Sequence, residues 1–409
     1  MTERLYYTDA YLNTFIAQVV ERLDWEGQPA VILDRTAFYP TSGGQPADHG
    51  TLDGIPVVDV LVRETDAAMI HILSRPLPDD QNEVHGEIDW QRRFDHMQQH
   101  TGQHILSAAF EQMLQADTVG FHLGADVSTI DLNVARLAPE AIWPVEEAAN
   151  QVVWENRPVT VRIIPQEMLP AVVEETGMSL RRPPAVSGPV RLVTVADFDI
   201  NPCGGTHVAH SGEIGIIKIV RLDYRGDTTR VEFLCGHRAL RDYRAKNDII
   251  HHLSGMLTVG YWELTQAIER LQAESKHWRH EARQLRRKLL PLEAEELAQG
   301  AQHIGAYRVI RRVWEASEDI SPEDMRGIAR SLAQHHDLVA LLATVSDERI
   351  HFCFTCAEGT EVDMVAILRN VIAPLGGRGG GRSHLAQGSA PVTDVSRVRQ
   401  ALADFTFRR

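Results

Sequence analysis

The stretch HTGQHILSAAF, residues 100–110, decides how the middle of this chain folds. Its apolar and small side chains recur at intervals of three and four, the period of an α-helix, and they predict a helix from Phe94 to Leu114. His100 and His104 are four residues apart, so a helix places both imidazoles on one face. His96 stands one turn earlier on the same stripe. This face therefore carries the first candidate metal ligands.

A second motif, Cys203-Gly-Gly-Thr-His207, follows Pro202. Its two glycines exclude an ordinary helix and predict a tight turn. A single HxxxH pattern is more often a pair of ordinary histidines, but the two motifs together supply three imidazoles and one thiolate. That donor set favours zinc over magnesium or calcium. We predict one Zn²⁺ per chain. Because four ligands already fill a tetrahedron, we place His96 outside the ligand set as an outer partner.

The remaining cysteines are interpreted as packing residues. Cys353 and Cys356 lie in RIHFCFTC, residues 349–356, whose alternation predicts a strand. Side chains three apart on a strand face opposite ways, so joint metal binding would need a turn there. Cys235 ends another predicted strand. Four cysteines are too few and too unevenly placed for a disulfide framework, which argues for a reducing, cytoplasmic setting.

Hydrophobic patterning divides the chain into four ranges. Residues 1–90 hold short β-rich runs broken by glycine, proline and aspartate, which predict a small barrel or meander. Residues 91–236 mix the central helix with strands, among them a single strand VRLVTVADFDI over 190–200. Residues 237–300 predict a helix pair, although a strict heptad is not supported. Residues 301–409 return to α/β alternation. We therefore expect an α+β multidomain protein.

Length, composition and charge narrow the class of protein. The chain has 409 residues, 44% of them hydrophobic, which is ordinary for two or three globular domains. It lacks an apolar run of about 18 residues and a charged-then-apolar leader, so we expect neither a membrane span nor a signal peptide. The net charge is −15, yet residues 275–289 carry six basic side chains and one acidic side chain. That segment is either an anion-binding arm or a solvated helix face.

Four motifs occur in one order along the chain: FYPTSGGQPADHG, HTGQHILSAAF, NPCGGTHV and GGRGGGRSHLAQGS. Together they resemble the freestanding alanyl-tRNA editing proteins of the long form, relatives of the editing and C-terminal parts of alanyl-tRNA synthetase. The resemblance covers nearly the whole chain. It implies a β-barrel-like domain over 1–90, a two-layer α/β editing domain with zinc over 91–236, a coiled-coil-like helical hairpin linker over 237–300, and a C-terminal DHHA1-like tRNA-binding domain over 301–409.

This resemblance implies a hydrolase that removes serine, and glycine in some members, from tRNA for alanine. A pocket built for alanine cannot firmly reject an added hydroxyl, so a second site that requires the hydroxyl corrects the error. We expect deacylation without ATP, because the strand-rich start leads directly into the editing motifs. Mischarged tRNA(Ala) is the expected partner, and a homodimer through the C-terminal domain is a further expectation. The alternative function is a tRNA-binding module whose zinc is purely structural.

The resemblance also assigns roles to individual residues. The implied zinc ligands are His100, His104, Cys203 and His207. The implied substrate-binding loop, for which a hairpin turn without substrate contact is the alternative, consists of Thr41, Gly43, Gly44 and Gln45. The candidate catalytic residues are Gln45, His96 and His122.

The glycine–arginine motif near the C-terminus is neither a P-loop nor a dinucleotide fingerprint. Its glycines would let the backbone approach phosphates, and its arginines would pair with them. A plain glycine turn is the alternative. By resemblance, the expected tRNA-binding residues are Gly377, Arg378, Gly379, Gly380, Gly381 and Arg382.

Overall fold

The computed structural model describes residues 2–181, 188–346, 349–391 and 395–404. The chain forms two compact units, Met1–His252 and Leu253–Arg409. Each unit mixes helices and strands, which confirms the predicted α+β multidomain class. No described helix is both long enough and apolar enough to cross a membrane. The finer division into four ranges stays a prediction.

A closed barrel opens the first unit and confirms the barrel predicted there. The strands of this region are β1 (Glu3–Arg4), β2 (Thr14–Trp25), β3 (Gln28–Leu33), β4 (Arg35–Thr36), β5 (Gly50–Leu52), β6 (Ile55–Val62), β7 (Met69–Leu73) and β8 (Glu83–Ile88). The barrel closes in the order β2-β3-β7-β6-β5-β8, and β1 pairs with β4. Residues alternate along β2, so Phe15 and Ala17 enter the barrel core while Thr14 and Ile16 are exposed.

Helix α1 (Trp90–Leu114) follows the barrel directly. Its first turn is capped by Asp89, whose side chain accepts the Arg92 amide hydrogen. Arg93 is fully buried and pairs with Asp48 of the barrel region, with 3.0 Å between Arg93 Nε and Asp48 Oδ1. This buried pair ties the start of the helix to the segment that follows the glycine loop at residues 43–44.

The rest of the first unit packs around α1. The elements that follow are β9 (Thr118–Leu123), β10 (Ser128–Leu132), α2 (Pro139–Trp154), β11 (Val159–Ile164), α3 (Leu169–Thr176), β12 (Val190–Val195), β13 (Asp199–Pro202), β14 (Ile217–Arg225), β15 (Thr228–Cys235) and α4 (Gly236–Leu257). One sheet has the order β14-β15-β10-β9, and another has the order β11-β12-β13. A Cβ atom at Gly102 would lie 2.3 Å from Cys235 Sγ, so glycine is required where α1 packs against β15.

The single strand predicted over 190–200 is wrong. The segment forms two antiparallel strands, β12 and β13, joined by a turn in which Asp197 has a φ of 55°. An aspartate tolerates this left-handed conformation better than most residues. Because the chain reverses there, the motif at Cys203 follows the second strand of a hairpin rather than one long strand.

The second unit is a mixed sheet with helices on both faces. Its elements are α5 (Leu264–Gln299), β16 (Gln302–Ile304), β17 (Tyr307–Trp314), α6 (Pro322–Leu332), β18 (Leu338–Ser346), β19 (Arg349–Cys356), α7 (Met364–Ile372), β20 (Arg378–Arg382), β21 (Leu385–Pro391) and α8 (Val395–Ala403). The strand order is β16-β17-β18-β19-β21-β20. Cys353 packs with α5 and α6, whereas Cys356 packs with α7 and α8. Their opposite directions confirm the packing interpretation.

Candidate metal centre

The four predicted ligands converge in the first unit. Helix α1 supplies His100 and His104, and the turn after β13 supplies Cys203 and His207. One ligand atom from each residue lies within 4.8 Å of the other three. The Cys203 Sγ atom is 3.4 Å from His100 Nε2 and 3.3 Å from His207 Nε2. The cluster can therefore hold a metal ion.

These distances fit tetrahedral coordination. Zinc bonds a thiolate sulfur at about 2.3 Å and an imidazole nitrogen at about 2.0–2.1 Å, so two such atoms on one ion stand on the order of 3.5 Å apart. The observed sulfur–nitrogen separations of 3.3 and 3.4 Å are close to that value. Three imidazoles and one thiolate also suit zinc better than the hard cations magnesium and calcium. The donor chemistry of the residues thus fits the predicted ion.

Each ligand histidine has a hydrogen-bond partner on the nitrogen that faces away from the cluster. The three pairs are His100 Nδ1 with Gln45 Oε1 at 2.8 Å, His104 Nδ1 with Asp199 Oδ2 at 3.2 Å, and His207 Nδ1 with Thr101 Oγ1 at 3.1 Å. An oxygen that accepts a hydrogen bond from Nδ1–H keeps the proton on that nitrogen, which leaves the Nε2 lone pair free for a metal. This shell of partners orients the ligand rings.

Two of these partners were missed by the sequence analysis. Asp199 is buried, receives a hydrogen bond from Arg181 Nη2 at 3.0 Å, and accepts another from Asn201 Nδ2 at 2.7 Å. A charged residue four positions before Cys203, at the start of a strand, was a usable signal. Thr101 directly follows His100, and its hydroxyl also accepts the Val208 amide hydrogen at 3.2 Å.

The electrostatics of the cluster favour a thiolate. Burial alone raises the pKa of Cys203, but His100 and His207 outweigh burial and hold that pKa well below its usual range. Burial, assisted by His100, lowers the pKa of His207 to about 3. Burial also lowers the pKa of His104, yet hydrogen bonds with Asp199 and Cys203 outweigh burial and raise it to about 9. A thiolate and neutral imidazoles are the forms that bind metal, so a metal ion must displace the extra proton that His104 carries at neutral pH.

The glycine loop forms a two-residue hairpin turn beside the cluster. Ser42 and Gln45 exchange backbone hydrogen bonds of 3.1 and 2.9 Å. Gly43 and Gly44 have φ values of 54° and 81°, which a type I′ turn requires. A Cβ atom at Gly44 would lie 2.8 Å from the Phe121 ring. Glycine at this position therefore serves both the turn and the close packing of strand β9.

Gln45 is occupied by contacts within the protein. The residue is only 1% exposed. Besides His100, its Oε1 atom accepts the Thr206 amide hydrogen at 3.2 Å, and its Nε2 atom donates to Thr206 Oγ1 at 2.8 Å. A Cβ atom at Gly205 would lie 2.2 Å from the His100 ring, so the turn must approach closely. Gln45 thus positions His100 and locks the two ligand-bearing segments together.

A cavity of about 390 Å³ opens beside the cluster. Its size is at the small end of the range for ligand sites. Its walls include three of the ligand residues, the turn at Ser42 and Gly43, and the aromatic ring of Phe121. The further polar and charged side chains in its lining are Tyr39, Gln103, Glu111, Asp117, Thr118, Arg181 and Asn201. The arrangement can bind a small polar group next to a metal ion.

Among the predicted catalytic and substrate-binding residues, Gly43 lines this cavity, whereas Thr41, Gly44, Gln45, His96 and His122 do not line it in the described part of the chain. His96 is buried on α1 but lines a different cavity, at the start of the helix. His122 follows Phe121 on β9, and neighbouring side chains on a strand point to opposite faces, so His122 is exposed while Phe121 lines the cavity. Thr41 is exposed, and its hydroxyl accepts the Ala47 amide hydrogen at 3.1 Å.

The glycine–arginine motif forms an edge strand of the second unit, so the plain-turn alternative is wrong. Strand β20 pairs with β21. Cβ atoms at Gly379 and Gly381 would lie 2.6 and 2.2 Å from backbone oxygens of β21, whereas a Cβ atom at Gly380 would meet open space. Alternation therefore turns Arg378 and Arg382 toward the open side with Gly380. Packing requires glycine at the other three positions, which are Gly377, Gly379 and Gly381.

Two protein-family models match parts of the chain. Residues 190–232 match the threonyl and alanyl tRNA synthetase second additional domain. Residues 306–406 match the DHHA1 domain. The first match contains the turn that carries Cys203 and His207, and the second contains strand β20.

Curated relatives align with most of the chain. The alanyl-tRNA editing protein AlaX-L of Pyrococcus horikoshii is 32% identical over 405 residues, which cover 95% of this chain and 94% of that protein. The alanyl-tRNA editing protein Aarsd1 of Danio rerio is 32% identical over 361 residues, covering 88% of this chain and 84% of that protein. The alanine–tRNA ligase of Pyrococcus furiosus is 33% identical over 98% of this chain, which spans only 43% of the ligase.

Proposed function

The chain belongs to the family of alanyl-tRNA editing proteins, and we propose that it hydrolyses serine, and secondarily glycine, from mischarged tRNA(Ala). One observation carries the proposal: a four-residue metal cluster borders a small cavity with a polar lining. In the reaction, water adds to the ester carbonyl, the bond to the ribose oxygen breaks, and the tRNA regains a free terminal hydroxyl while the amino acid leaves.

We assign the metal position to zinc. When bound, zinc supplies Lewis-acid chemistry, which polarises an ester carbonyl or lowers the pKa of water. The protein's own contribution is to hold the ligand rings in place. Gln45, Asp199 and Thr101 each engage one imidazole, so the cluster is organised before substrate arrives.

The cavity lining supports discrimination between serine and alanine. Gln103 and Asn201 are 4% and 6% exposed and carry amide groups at the wall. Gln103 Nε2 already donates to Ser107 Oγ at 2.8 Å, but Gln103 Oε1 accepts no hydrogen bond within the described residues. A seryl hydroxyl can donate to this oxygen, whereas an alanyl methyl leaves it unpaired in a desolvated site. Glu111 and Asp117 add negative charge that can attract the α-ammonium group of the aminoacyl ester.

The test is a deacylation assay on the full chain with tRNA(Ala) charged with serine, glycine or alanine. The seryl ester should be cleaved about 5- to 150-fold faster than the alanyl ester, because one desolvated, unpaired polar group costs about 1–3 kcal/mol. A chelator should abolish the activity and added zinc should restore it. Equal rates on serine and alanine would contradict the specificity argument, and full activity in metal-free protein would contradict the role of the metal.

A matched pair of variants sharpens this assay. Gln103→Leu should narrow the serine-to-alanine rate ratio because it removes a buried amide from the cavity wall. Gln112→Leu changes an exposed glutamine of the same helix outside the cavity and should leave the ratio unchanged. If both variants keep the ratio of the unmodified chain, the hydroxyl is recognised elsewhere.

A second candidate function is a tRNA-binding module whose zinc is purely structural. One observation favours it: four protein ligands fill a tetrahedral shell, as in closed structural sites. Under this alternative the chain binds tRNA(Ala) but leaves its seryl ester to spontaneous hydrolysis. The same deacylation assay separates the two functions, since chelation would then reduce folding stability without any enzymatic activity to lose.

We assign tRNA backbone binding in the second unit to Arg378 and Arg382. Both are exposed on the open side of the edge strand, and neither forms an ion pair within the described residues. Replacing both with alanine should raise KM for tRNA and reduce the salt slope of binding by about 2, because two phosphate contacts are lost. Replacing Arg326 and Arg330, which are exposed on α6, is the matched control. Equal effects of the two pairs would refute the assignment.

Compartment and assembly complete the proposal. All four cysteines are free, which supports a reducing, cytoplasmic setting. The homodimer expected through residues 301–409 is open to a direct measurement of mass in solution.

A further inference from the structure

A second cavity of about 610 Å³ lies in the first unit, between the start of α1 and the start of α4. The helices α1 and α4 begin at Trp90 and Gly236, so two helix N-termini, each with a partial positive charge, meet at this cavity. Its lining includes two aromatic rings, Trp90 and Phe94, and the side chain of His96. None of the metal ligands belongs to this cavity.

His96 is the unusual member of the lining. The residue is only 1% exposed, and its Nδ1 atom has no hydrogen-bond partner among the described residues. A buried polar atom without a partner costs free energy, so native proteins rarely keep one without a reason. A ligand that hydrogen-bonds His96 inside the cavity would supply that reason.

The charges around the cavity favour an anion. Its two carboxylates are already engaged: Asp95 pairs with Arg238, with 2.6 Å between Oδ2 and Nη2, and Asp89 caps α1. Arg241 is exposed, and no ion pair holds it within the described residues. Arg92 donates from Nε to the Ala47 carbonyl at 2.9 Å, and its terminal nitrogens form no ion pair in the described part of the chain.

The protonation state of His96 is consistent with the excess of unpaired positive charge around the cavity. Burial, and then the nearby arginines Arg92 and Arg238, lower the pKa of His96 to about 3. The imidazole is therefore neutral at physiological pH, with one N–H to donate. Burial, the larger cause, disfavours charge of either sign, whereas the positive charge of the two arginines favours an anion beside the ring.

We propose that this cavity binds a phosphate of the tRNA substrate close to its 3′ end, with the adjoining nucleoside against Trp90. The inference rests on the proposed function, because it takes the substrate to be tRNA. Arg241 and Arg92 pair with the phosphate, His96 donates to it, and the half-buried Trp90 ring offers a stacking surface. His96 is one turn before His100, about 6 Å along the helix axis, so the proposed phosphate site and the metal cluster are built on neighbouring turns of one helix.

The experiment compares Arg241→Ala with Arg244→Ala in the full chain with its metal. Arg244 lies on the same helix, is exposed, and does not line the cavity. The dissociation constant for uncharged tRNA(Ala) is measured over a range of salt concentrations. Arg241→Ala should weaken binding about five- to tenfold and reduce the salt slope by about 1. Arg244→Ala should stay within about twofold of the unmodified chain.

A third variant, His96→Phe, removes the donor while keeping a ring of similar size. It should weaken tRNA binding severalfold without lowering the melting temperature, a combination that a merely structural histidine would not produce. Equal losses in Arg241→Ala and Arg244→Ala would overturn the cavity as the site, and so would unchanged affinity in Arg241→Ala.

The same phosphate chemistry could come from a free mononucleotide, so AMP is titrated as a second probe. If Arg241→Ala loses AMP binding but keeps tRNA affinity, the assignment to tRNA is overturned. Failure of the proposed function is distinguishable from failure of this site. A chain without deacylase activity whose tRNA affinity still depends on Arg241 refutes only the function, and an active deacylase whose affinity ignores Arg241 refutes only the site.

Discussion

Helix α1 carries three buried histidines at intervals of four residues, and they differ in the groups that they face. His100 and His104 each have a partner behind the ring, Gln45 and Asp199, and both turn Nε2 toward the metal cluster. His96, one turn earlier, is equally buried, but its Nδ1 atom has no partner in the described part of the chain, and its side chain lines another cavity. Spacing along a helix thus determines which face a histidine lies on, and the segments packed against that face determine whether the histidine can bind the metal.

The largest expected effect is on zinc content, which should be lost when His104 is replaced and kept when His96 is replaced. His104→Ala removes a ligand and should reduce both bound zinc and seryl-tRNA deacylation to background, since the remaining three ligands no longer enclose the ion. His96→Ala should retain about one zinc per chain. Metal analysis of both purified variants checks this. Loss of zinc from the His96→Ala variant would show that His96 contributes to the metal site and does not belong to a separate site.

The next effect concerns the partner behind a ligand. Asp199→Asn should weaken zinc affinity about 10–100-fold, the usual cost of losing an outer carboxylate on a ligating histidine. Competition with a fluorescent chelator measures it. Asp197→Asn, on the exposed turn just before, is the matched control and should bind zinc like the unmodified chain. Equal affinities in all three proteins would mean that His104 needs no partner.

Another buried histidine, His71 in the barrel, extends the comparison to the pH dependence of stability. His71 has partners on both ring nitrogens, Thr36 and Val31, and burial lowers its pKa to about 4 although backbone hydrogen bonds oppose the change. The unfolded chain takes up a proton near pH 6.5 while the folded chain does not, so stability falls as the pH drops from about 6.5 toward 4.

Between pH 7 and pH 5 this linkage amounts to about 2 kcal/mol. His71→Leu removes the titrating group, so the difference in unfolding free energy between the two pH values should shrink by that amount. Urea denaturation of both proteins measures it, and effects common to both, such as metal release in acid, cancel in the comparison. An unchanged difference would show that His71 titrates normally in the fold.

The smallest expected effect is on the free energy of unfolding, and it should have opposite signs for substitutions of His96 and of the ligand His104. His96→Phe removes an unpartnered polar atom and should raise the free energy of unfolding by about 1 kcal/mol. His104→Phe breaks the hydrogen bond to Asp199 and leaves a buried carboxylate partly unpaired, so it should lower stability. Urea denaturation in the presence of chelator isolates the two contributions. Destabilisation by both variants would show that His96 has a partner after all.

Local patterns predicted the elements well wherever the period of the side chains was unambiguous. The helix at residues 94–114, the β-rich start and the strand holding Cys353 are all present. The prediction failed at 190–200, where an apolar run concealed a reversal at Asp197. The plain glycine turn, which was the alternative to tRNA contact for the motif at 376–382, is also wrong, because glycine-rich sequence can pair as an edge strand when a neighbouring backbone approaches closely.

The amino-acid sequence alone determined the donor atoms of the candidate metal centre. Two histidines four apart on a helix and a Cys–Gly–Gly–Thr–His turn have few local geometries open to them, so ligand identity and a preference for zinc follow from short-range rules. The sequence also showed that the ligands come from two motifs far apart along the chain, because each motif contains its own pair of ligands.

Only the tertiary structure decided which groups stand behind the ligands. Gln45 reaches His100 across 55 positions, and Asp199 reaches His104 across 95. Side-chain periodicity describes one element at a time and carries no information on which surfaces meet. Packing therefore made Gln45 a positioning residue, left His122 outside the cavity, and gave His96 a site of its own.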